Sequence, residues 1–577
     1  MENNLTACSL DCYDACAVIY DEGKLKALKD GHTQGFLCPH LNHYSKYETI
    51  TAPRYKGEDI TLDEALVKLK ELLALSQKDK ILHYRGSGNF GLMQEVTDHF
   101  FASLGATLTD GTLCDGAGEA GIIEGRGSNK NMPLSEIAKS DVVIIWGRNP
   151  HVSSSHLLPL IKDKEIIVID PIKTKIAKTA NLHIQLKPHT DLYLAMMLTR
   201  FFHIHHDCDK EYLNERASEF EEFYELTQTI RIKAVLEEIG VTLGQLGKVL
   251  ELVHNKKVAI VCGVGIQKYS DGADVMRAID AFAVTLGLFG KEGCGVSYLG
   301  NSKEGITSPF NSNAKRVSKV NTEFSNFKTV FIQGANPLSQ MPDSLRVKES
   351  ICKVENLVYF GLYENETSEM ADLIIPAKSF LYKDDVRTSY SHNAMMNMSR
   401  VADIESGISE YDLSAYLCKE FAIELESEEF YLKHFKNFSV VRINGCLVVE
   451  DREAIPYSDD FDTDDGEFLF LEEFEPYNSK NTKLHLITPK SATSLNSQFN
   501  REEYVYLHSS LGFEDENEVT ISSVNGFVTL KVKNSNDLRE DCVLIYSGTK
   551  GVNNLTSSKH SLDGKSAIFQ ENRVEVK

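Results

Sequence analysis

Four cysteines stand near the N-terminus: Cys8, Cys12 and Cys16 in "CSLDCYDAC", and Cys38 in "GFLCPH". Thiolates hold soft metals, chiefly zinc or iron–sulfur clusters. Zinc sites usually come as two close pairs. The spacing here is C-x3-C-x3-C-x21-C, which suits a cubane, with one loop supplying three corners and a distant residue the fourth. The bland alternative is one helical face of buried cysteines at i, i+4 and i+8. Asp11, Tyr13 and Asp14 make the segment too polar for such a stripe. The residues therefore point to a [4Fe–4S] cluster held by Cys8, Cys12, Cys16 and Cys38.

A second chemistry-bearing pattern is repeated. "KILHYRGSGNFG" (80–91) is an apolar run ending in glycines, "DVVIIWGRNP" (141–150) ends in Gly-x-Asn-Pro, and "EIIVIDP" (165–171) and "TANLHIQLKP" (179–188) follow. The order returns in "KVAIVCGVG" (257–265), "KTVFIQGANP" (328–337), "NLVYFGLYENET" (356–367) and "MADLIIPA" (370–377). Glycines at strand ends let backbone amides approach a phosphate, and a helix N-terminus favours its charge.

Such chemistry needs a frame. The short, β-branched apolar runs alternate with helical stretches such as "LDEALVKLKELLAL" (62–75) and "DVMRAIDAFAVTLGLF" (274–289), which indicates buried parallel strands. The fold class expected is α/β: two pseudo-repeated, doubly wound parallel-sheet domains, each with a nucleotide-like site. Two Rossmann-like domains without a shared ligand are the alternative. Residues 450–475 are strongly acidic and read as a solvated connection, with a docking surface as the second reading. From 483 the chain turns β-rich, with Asn-Gly and Ser-Gly turns that indicate a small barrel. The domains expected are 1–50 for the cluster, 51–450 for the α/β repeats and 480–577 for the barrel.

The 577 residues amount to about four domains' worth. A composition of 42% hydrophobic and 25% charged residues is that of a globular protein. A net charge of −23 argues against a nucleic-acid surface. No apolar run reaches membrane-span length, so no membrane span is expected. "MENNLTA" carries no basic start and no apolar core, so a cytoplasmic protein is expected. Its 12 cysteines are then read as ligands and buried hydrophobes, not as disulfides.

Taken together, these stations resemble the molybdopterin-dinucleotide oxidoreductases of the dimethyl-sulfoxide-reductase and formate-dehydrogenase superfamily. The likeness runs through the cluster cysteines, "TLCDGAGEAG" (112–121), "WGRNP", "VIDPIKTKIAKTANLHIQLKPHTD" (168–191), "GKEGCG" (290–295) and "QGANP". It continues through "ENETSEMADLIIPA" (364–377), "LITPKSATSLNSQFN" (486–500) and the closing stretch 551–576. The resemblance implies two molybdopterin guanine dinucleotides around one molybdenum or tungsten. It implies that Gly147, Asn149, Asp170, Thr174 and Asp191 serve one dinucleotide, and that Gly334, Asn336, Pro337, Glu366 and Thr367 lie near the other. Thr488, Asn496, Ser497 and Asn554 of the barrel would close over both. Amides and hydroxyls suit guanine and ribose, and carboxylates take guanine N–H groups.

By the same resemblance Cys114 is the metal's protein ligand, with a small buried thiol under a glycine turn as the alternative. Asp115 stands where formate dehydrogenases commonly have histidine. "LYKDDVRTSYSHN" (381–393) would face the metal, with Arg387 gripping an anionic or oxo group and His392, favoured over Tyr390, moving a proton; a polar, salt-bridged loop is the alternative. Two departures stand out: His40 replaces a Lys or Arg commonly found two residues after the last cluster cysteine, and His189 replaces a glycine. The function implied is two-electron redox of a small substrate, with electrons passed through the cluster to an electron-transfer protein. A redox-neutral hydratase or lyase, and a cofactor-free structural subunit, are the alternatives.

Overall fold

The structure is a computed structural model. It describes residues 4–29, 31, 33–86, 91–205, 208, 210–404, 406–443, 446–449, 452–475 and 483–577. The cysteine segment is the loop of an antiparallel hairpin. Strands Leu5–Ala7 and Ala17–Asp21 pair from Leu5↔Ile19 to Ala7↔Ala17, and Lys24–Ala27 adds a third strand.

Two parallel sheets form the frame. Their central strands, Val142–Trp146, Val258–Cys262 and Thr329–Gln333, are buried at every position. That is why they read as unbroken apolar runs and not as alternating ones. The first sheet has the order 182–184, 165–169, 142–146, 258–262, 295–297, all parallel. The second runs 316–318, 107–110, 81–85, 329–333, 356–361, 373–376, ending in the antiparallel hairpin 54–55/58–59.

The repeat read from the sequence is present, but its halves are interlaced. Ile81–Arg85 pairs with Thr329–Gln333, and Val258–Cys262 pairs with Val142–Trp146. Each Gly-x-Asn-Pro strand therefore takes one neighbour from its own repeat and the other from its counterpart. The strand order reverses at these pairs, which makes each a crevice suited to a ligand.

The helices follow local signals. Leu62–Ala74 starts in a capping box of Thr61 and Glu64 and buries Ala65, Leu66, Leu69, Leu72 and Leu73. Gly272–Thr285 is almost wholly buried. It lies against Gly116–Arg126 so closely that a Cβ at Gly121 would stand 2.1 Å from the Ala273 carbonyl oxygen. No helix among the described residues is long and apolar enough to cross a membrane.

The acidic stretch is more than a solvated connection. Tyr457, Phe461, Phe468 and Phe470 are buried in the core of the first sheet's half, and the Arg126 guanidinium lies between the Phe289 and Tyr457 rings. Its carboxylates stay outside while its aromatic residues anchor it. The C-terminal barrel is closed, in the order 484–487, 542–544, 504–507, 527–534, 518–522, 573–576. In Phe527–Asn534 buried and exposed residues alternate along most of the strand, as in a strand with one face on a core.

Candidate functional site

A single cavity of about 1440 Å³ is walled by the cysteine loop, both crevices and the barrel loops. At its two crevices the same geometry appears twice. Gly147 and Gly334 follow their strands in the left-handed conformation, at φ 61° and 54°. Asn149 and Asn336 then precede short helices that begin with Pro150 and Pro337. Across each crevice the neighbouring strand also ends in glycine. The Gly263 N–H donates to the Trp146 carbonyl at 2.7 Å, and the Gly86 N–H to the Gln333 carbonyl at 2.9 Å.

The two asparagines differ in support. Asn336 donates through Nδ2 to Glu366 Oε2 at 2.8 Å and to Ser497 Oγ at 3.1 Å, and its Oδ1 accepts from Thr367 Oγ1 at 2.8 Å. Glu366 and Thr367, with Pro337, thus stand behind the wall and orient the residue that lines it. The buried Asn149 Oδ1 has no partner among the described residues.

Asp170 and Asp191 line the far end of the first crevice with Thr174. Trp146 Nε1 donates to Asp191 Oδ1 at 2.7 Å, and the Ile172 N–H to Asp170 Oδ1 at 2.8 Å. Burial pushes Asp170 up to about 7 and Asp191 up to about 6, and each carboxylate opposes its acidic neighbours. Each buried carboxylate thus accepts one protein N–H here, and further N–H donors would favour its charged form. A folded-state pKa above the unfolded one favours the fold at low pH, and that contribution is lost as pH rises from about 4 through 7. Cofactor-free protein is therefore expected to lose on the order of 1–3 kcal/mol of stability between pH 5 and pH 8. Asp170→Asn should flatten that slope in thermal unfolding, and an unchanged slope would refute the assignment.

The cysteine hairpin closes at its base with the Cys8 N–H donating to the Cys16 carbonyl at 2.8 Å. Cys38 is the residue before the short helix Pro39–Asn42. Burial raises the Cys8 thiol to about 11 and Cys12 and Cys38 to about 12, with Cys16 well above its ordinary value. Each of the four thiols also lies within electrostatic reach of at least one of the others. Two buried and two half-buried thiols within electrostatic reach of one another fit a group that would deprotonate them. His156, from the loop after Pro150–Ser153, stands behind them, with Nδ1 3.6 Å from Cys16 Sγ and 2.8 Å from Asp14 Oδ2.

Cys114 lines the cavity beside Asp115. Its N–H donates to Thr112 Oγ1 at 2.8 Å. Gln267 donates through Nε2 to its carbonyl at 2.9 Å and accepts the Gly118 N–H through Oε1 at 2.9 Å. Burial pushes the Cys114 thiol up to about 12; Asp115 adds to that and Lys268 and Lys490 oppose it.

Arg387 and His392 lie elsewhere than expected. Arg387 donates through Nη2 to the Leu10 carbonyl at 2.7 Å, and His392 through Nε2 to the Asp14 carbonyl at 3.0 Å. The His392 Nδ1 accepts the Ala394 N–H at 3.3 Å. Neither residue is part of the cavity wall; both hold the cysteine loop from behind. The reason is register. Asp385–Arg387 pairs with Ala394–Met398, and Ala394, Met396 and Met398 pack against the cysteine hairpin. From this segment Lys383 and Tyr390 reach the cavity instead.

Barrel residues Thr488, Asn496 and Ser497 line the cavity, and Asn496 donates through Nδ2 to Asp11 Oδ2 at 2.8 Å. Asn554 does not: its Oδ1 accepts from Ser344 Oγ at 2.7 Å, outside the cavity. Its neighbour Asn553 lines the wall, because successive residues of the turn Val552–Asn554 point in different directions. Sequence reasoning missed His156, Gln267 and Lys268, none of which belongs to a quoted motif, and Lys490, which lies inside one (486–500) but was not singled out.

The molybdopterin oxidoreductase family profile matches residues 64–418. A probable oxidoreductase of Bacillus subtilis, YyaE, is 26% identical over 85% of this chain and 82% of its own length. A second from the same organism, YoaE, is 24% identical over 77% of this chain and 71% of its own. Among solved structures, acetylene hydratase from Pelobacter acetylenicus superposes with a TM-score of 0.75 at 15% identity, covering 94% of this chain and 93% of that one.

Proposed function

Since this chain belongs to the molybdopterin oxidoreductase family, an enzyme family built on a molybdenum- or tungsten-pterin cofactor, we propose that it catalyses two-electron redox of a small substrate. In this reading it holds two molybdopterin guanine dinucleotides and one [4Fe–4S] cluster. The observation that carries it is the continuity of one cavity from the four thiols, past two equivalent glycine-walled crevices, to Cys114.

Cys8, Cys12, Cys16 and Cys38 would hold the cluster, and Cys114 would ligate the metal. Gly147 with Gly263 and Gly334 with Gly86 leave backbone room for the two phosphate chains. Asp170 and Asp191 would take guanine N–H groups, and Asn149 and Asn336 would bind across each crevice. Thr488, Asn496 and Ser497 close the barrel over the cavity. Bound there, the pterin-held metal supplies the exchange of two electrons with the substrate. Of the side chains from 383–392 that line the cavity, Tyr390 would be the one to meet a substrate, since Lys383 is paired with Glu410. An electron-transfer protein as partner and a cytoplasmic setting complete the proposal.

Anaerobically purified protein should contain about four irons per chain, the count a cubane requires, and acid should release two GMP per metal. Zinc without iron would overturn the cluster, and a single nucleotide would overturn the paired dinucleotides. A redox-neutral hydratase or lyase is the competing reading. It has the likeness to acetylene hydratase behind it, which is one of fold. Substrate-dependent reduction of a dye supports the redox reading; turnover with no electron acceptor consumed supports the other.

A further inference from the structure

One cation in the cavity wall has no role in the arrangement above. Lys490 lies on the barrel loop that follows strand Leu484–Ile487. By area it is exposed, yet protein surrounds it, so the surface it shows is cavity surface. Among the described residues its ammonium has no hydrogen-bond or ion-pair partner. The groups whose charges reach it are Asp11, Cys114 and Cys12, with Arg148 opposing.

The loop that carries it is fixed. The Ser547 N–H donates to the Pro489 carbonyl at 2.8 Å, Ser491 Oγ and Thr493 Oγ1 are 2.9 Å apart, and Asn496 is tied to Asp11 at 2.8 Å. Lys490 is thus presented between the cysteine hairpin and the Cys114 turn, two segments that both carry thiols. Among the described residues this lysine gives the fold no ion pair or side-chain hydrogen bond; its side chain faces the cavity that the cofactors would fill.

We propose that Lys490 is the charge that links the two redox centres: supplied by the barrel, it stands between the cluster and the Cys114 metal site and stabilises the reduced cluster. This rests on the cluster reading above. Four thiolates around a cluster concentrate negative charge, and reduction adds one more. A fixed cation at that boundary makes the added electron less unfavourable, and it acts strongly where bound cofactors keep solvent and salt out of the cavity. Lys490 is a positioning charge and not a catalytic residue.

The test is an anaerobic potentiometric titration of the reduced cluster's electron paramagnetic resonance signal, in wild type and in Lys490→Met, Lys490→Gln and Lys490→Arg, with iron content measured in each. The Met and Gln variants should keep the wild-type iron content. Their cluster should become about tenfold harder to reduce, a shift of about 59 mV to more negative potential for one electron. The Arg variant should restore most of the wild-type potential. An unchanged potential in both neutral variants overturns the proposal. So does a shift that the Arg variant fails to reverse. If the Met variant takes up no iron, the Gln variant decides on the same terms. Wild-type protein without iron would instead overturn the cluster reading, and the role of Lys490 with it.

Discussion

Cys114→Ser is expected to leave the fold and the iron content intact and to lower turnover by more than about 100-fold. Losing a residue that merely supports a metal ligand already costs about 10–100-fold, and a serine oxygen is a harder, poorer match for a metal held by sulfur. The turn itself should survive. Thr112 and Gln267 hold the backbone of residue 114, not its side chain. The metal's X-ray absorption should lose one sulfur neighbour. If its coordination is unchanged, Cys114 is a packed thiol and the metal is held by non-protein ligands alone. If iron is lost as well, the turn is structural and the assignment fails in a different way.

The second large effect is expected at the crevices. A Cβ at Gly263 would stand 1.8 Å from the Gly147 carbonyl oxygen, and one at Gly86 would stand 2.4 Å from the Gly334 carbonyl oxygen. In both places the obstacle is backbone, so the strand ends must part. Gly263→Ala and Gly86→Ala should each cost about 1–3 kcal/mol, as overpacking does. Each should also reduce the GMP released from two per chain to one, because in the proposed arrangement each crevice serves its own dinucleotide. Denaturant unfolding and nucleotide release measure the two effects separately. Two GMP in both variants would mean that the phosphates do not pass these glycines.

Much of this was legible in the chain because it is written locally. Cys8, Cys12 and Cys16 fall on one hairpin loop, so their spacing carried their geometry. Gly147 and Gly334 mark the ends of strands whose apolar runs are continuous because both faces are buried. The barrel strands alternate because one face is not. What escaped depends on distant partners. Nothing near Ile81 says that its strand pairs with Thr329–Gln333, and the interlacing of the halves followed only from the structure. Arg387 and His392 had the right chemistry for a substrate, but the pairing of Arg387's strand and the bend before Ala394 turn them to the cysteine loop. Asn554 missed by one position for the same kind of reason. Lys490 sits within "LITPKSATSLNSQFN", where Thr488, Asn496 and Ser497 were singled out, and its place in the cavity wall depends on segments far away in the chain.

The interlaced sheets also govern the order of events in the cell. During synthesis Ile81–Arg85 and Thr107–Asp110 leave the ribosome long before Thr329–Gln333, the strand that joins them to the rest of their sheet. At about 5–20 residues per second the wait is on the order of 10–40 s. In that time the apolar faces of Ile81, Leu82, Phe100 and Phe101 lack the core that later covers them. Pairing across so much intervening chain is slow and exposed to aggregation. Neither half can be cut out as a folding unit, because each would leave with one strand pair belonging to the other. A crevice made from strands so far apart in the chain exists only once the whole protein has been made. A cofactor that occupies both crevices would therefore load late, on a nearly finished fold.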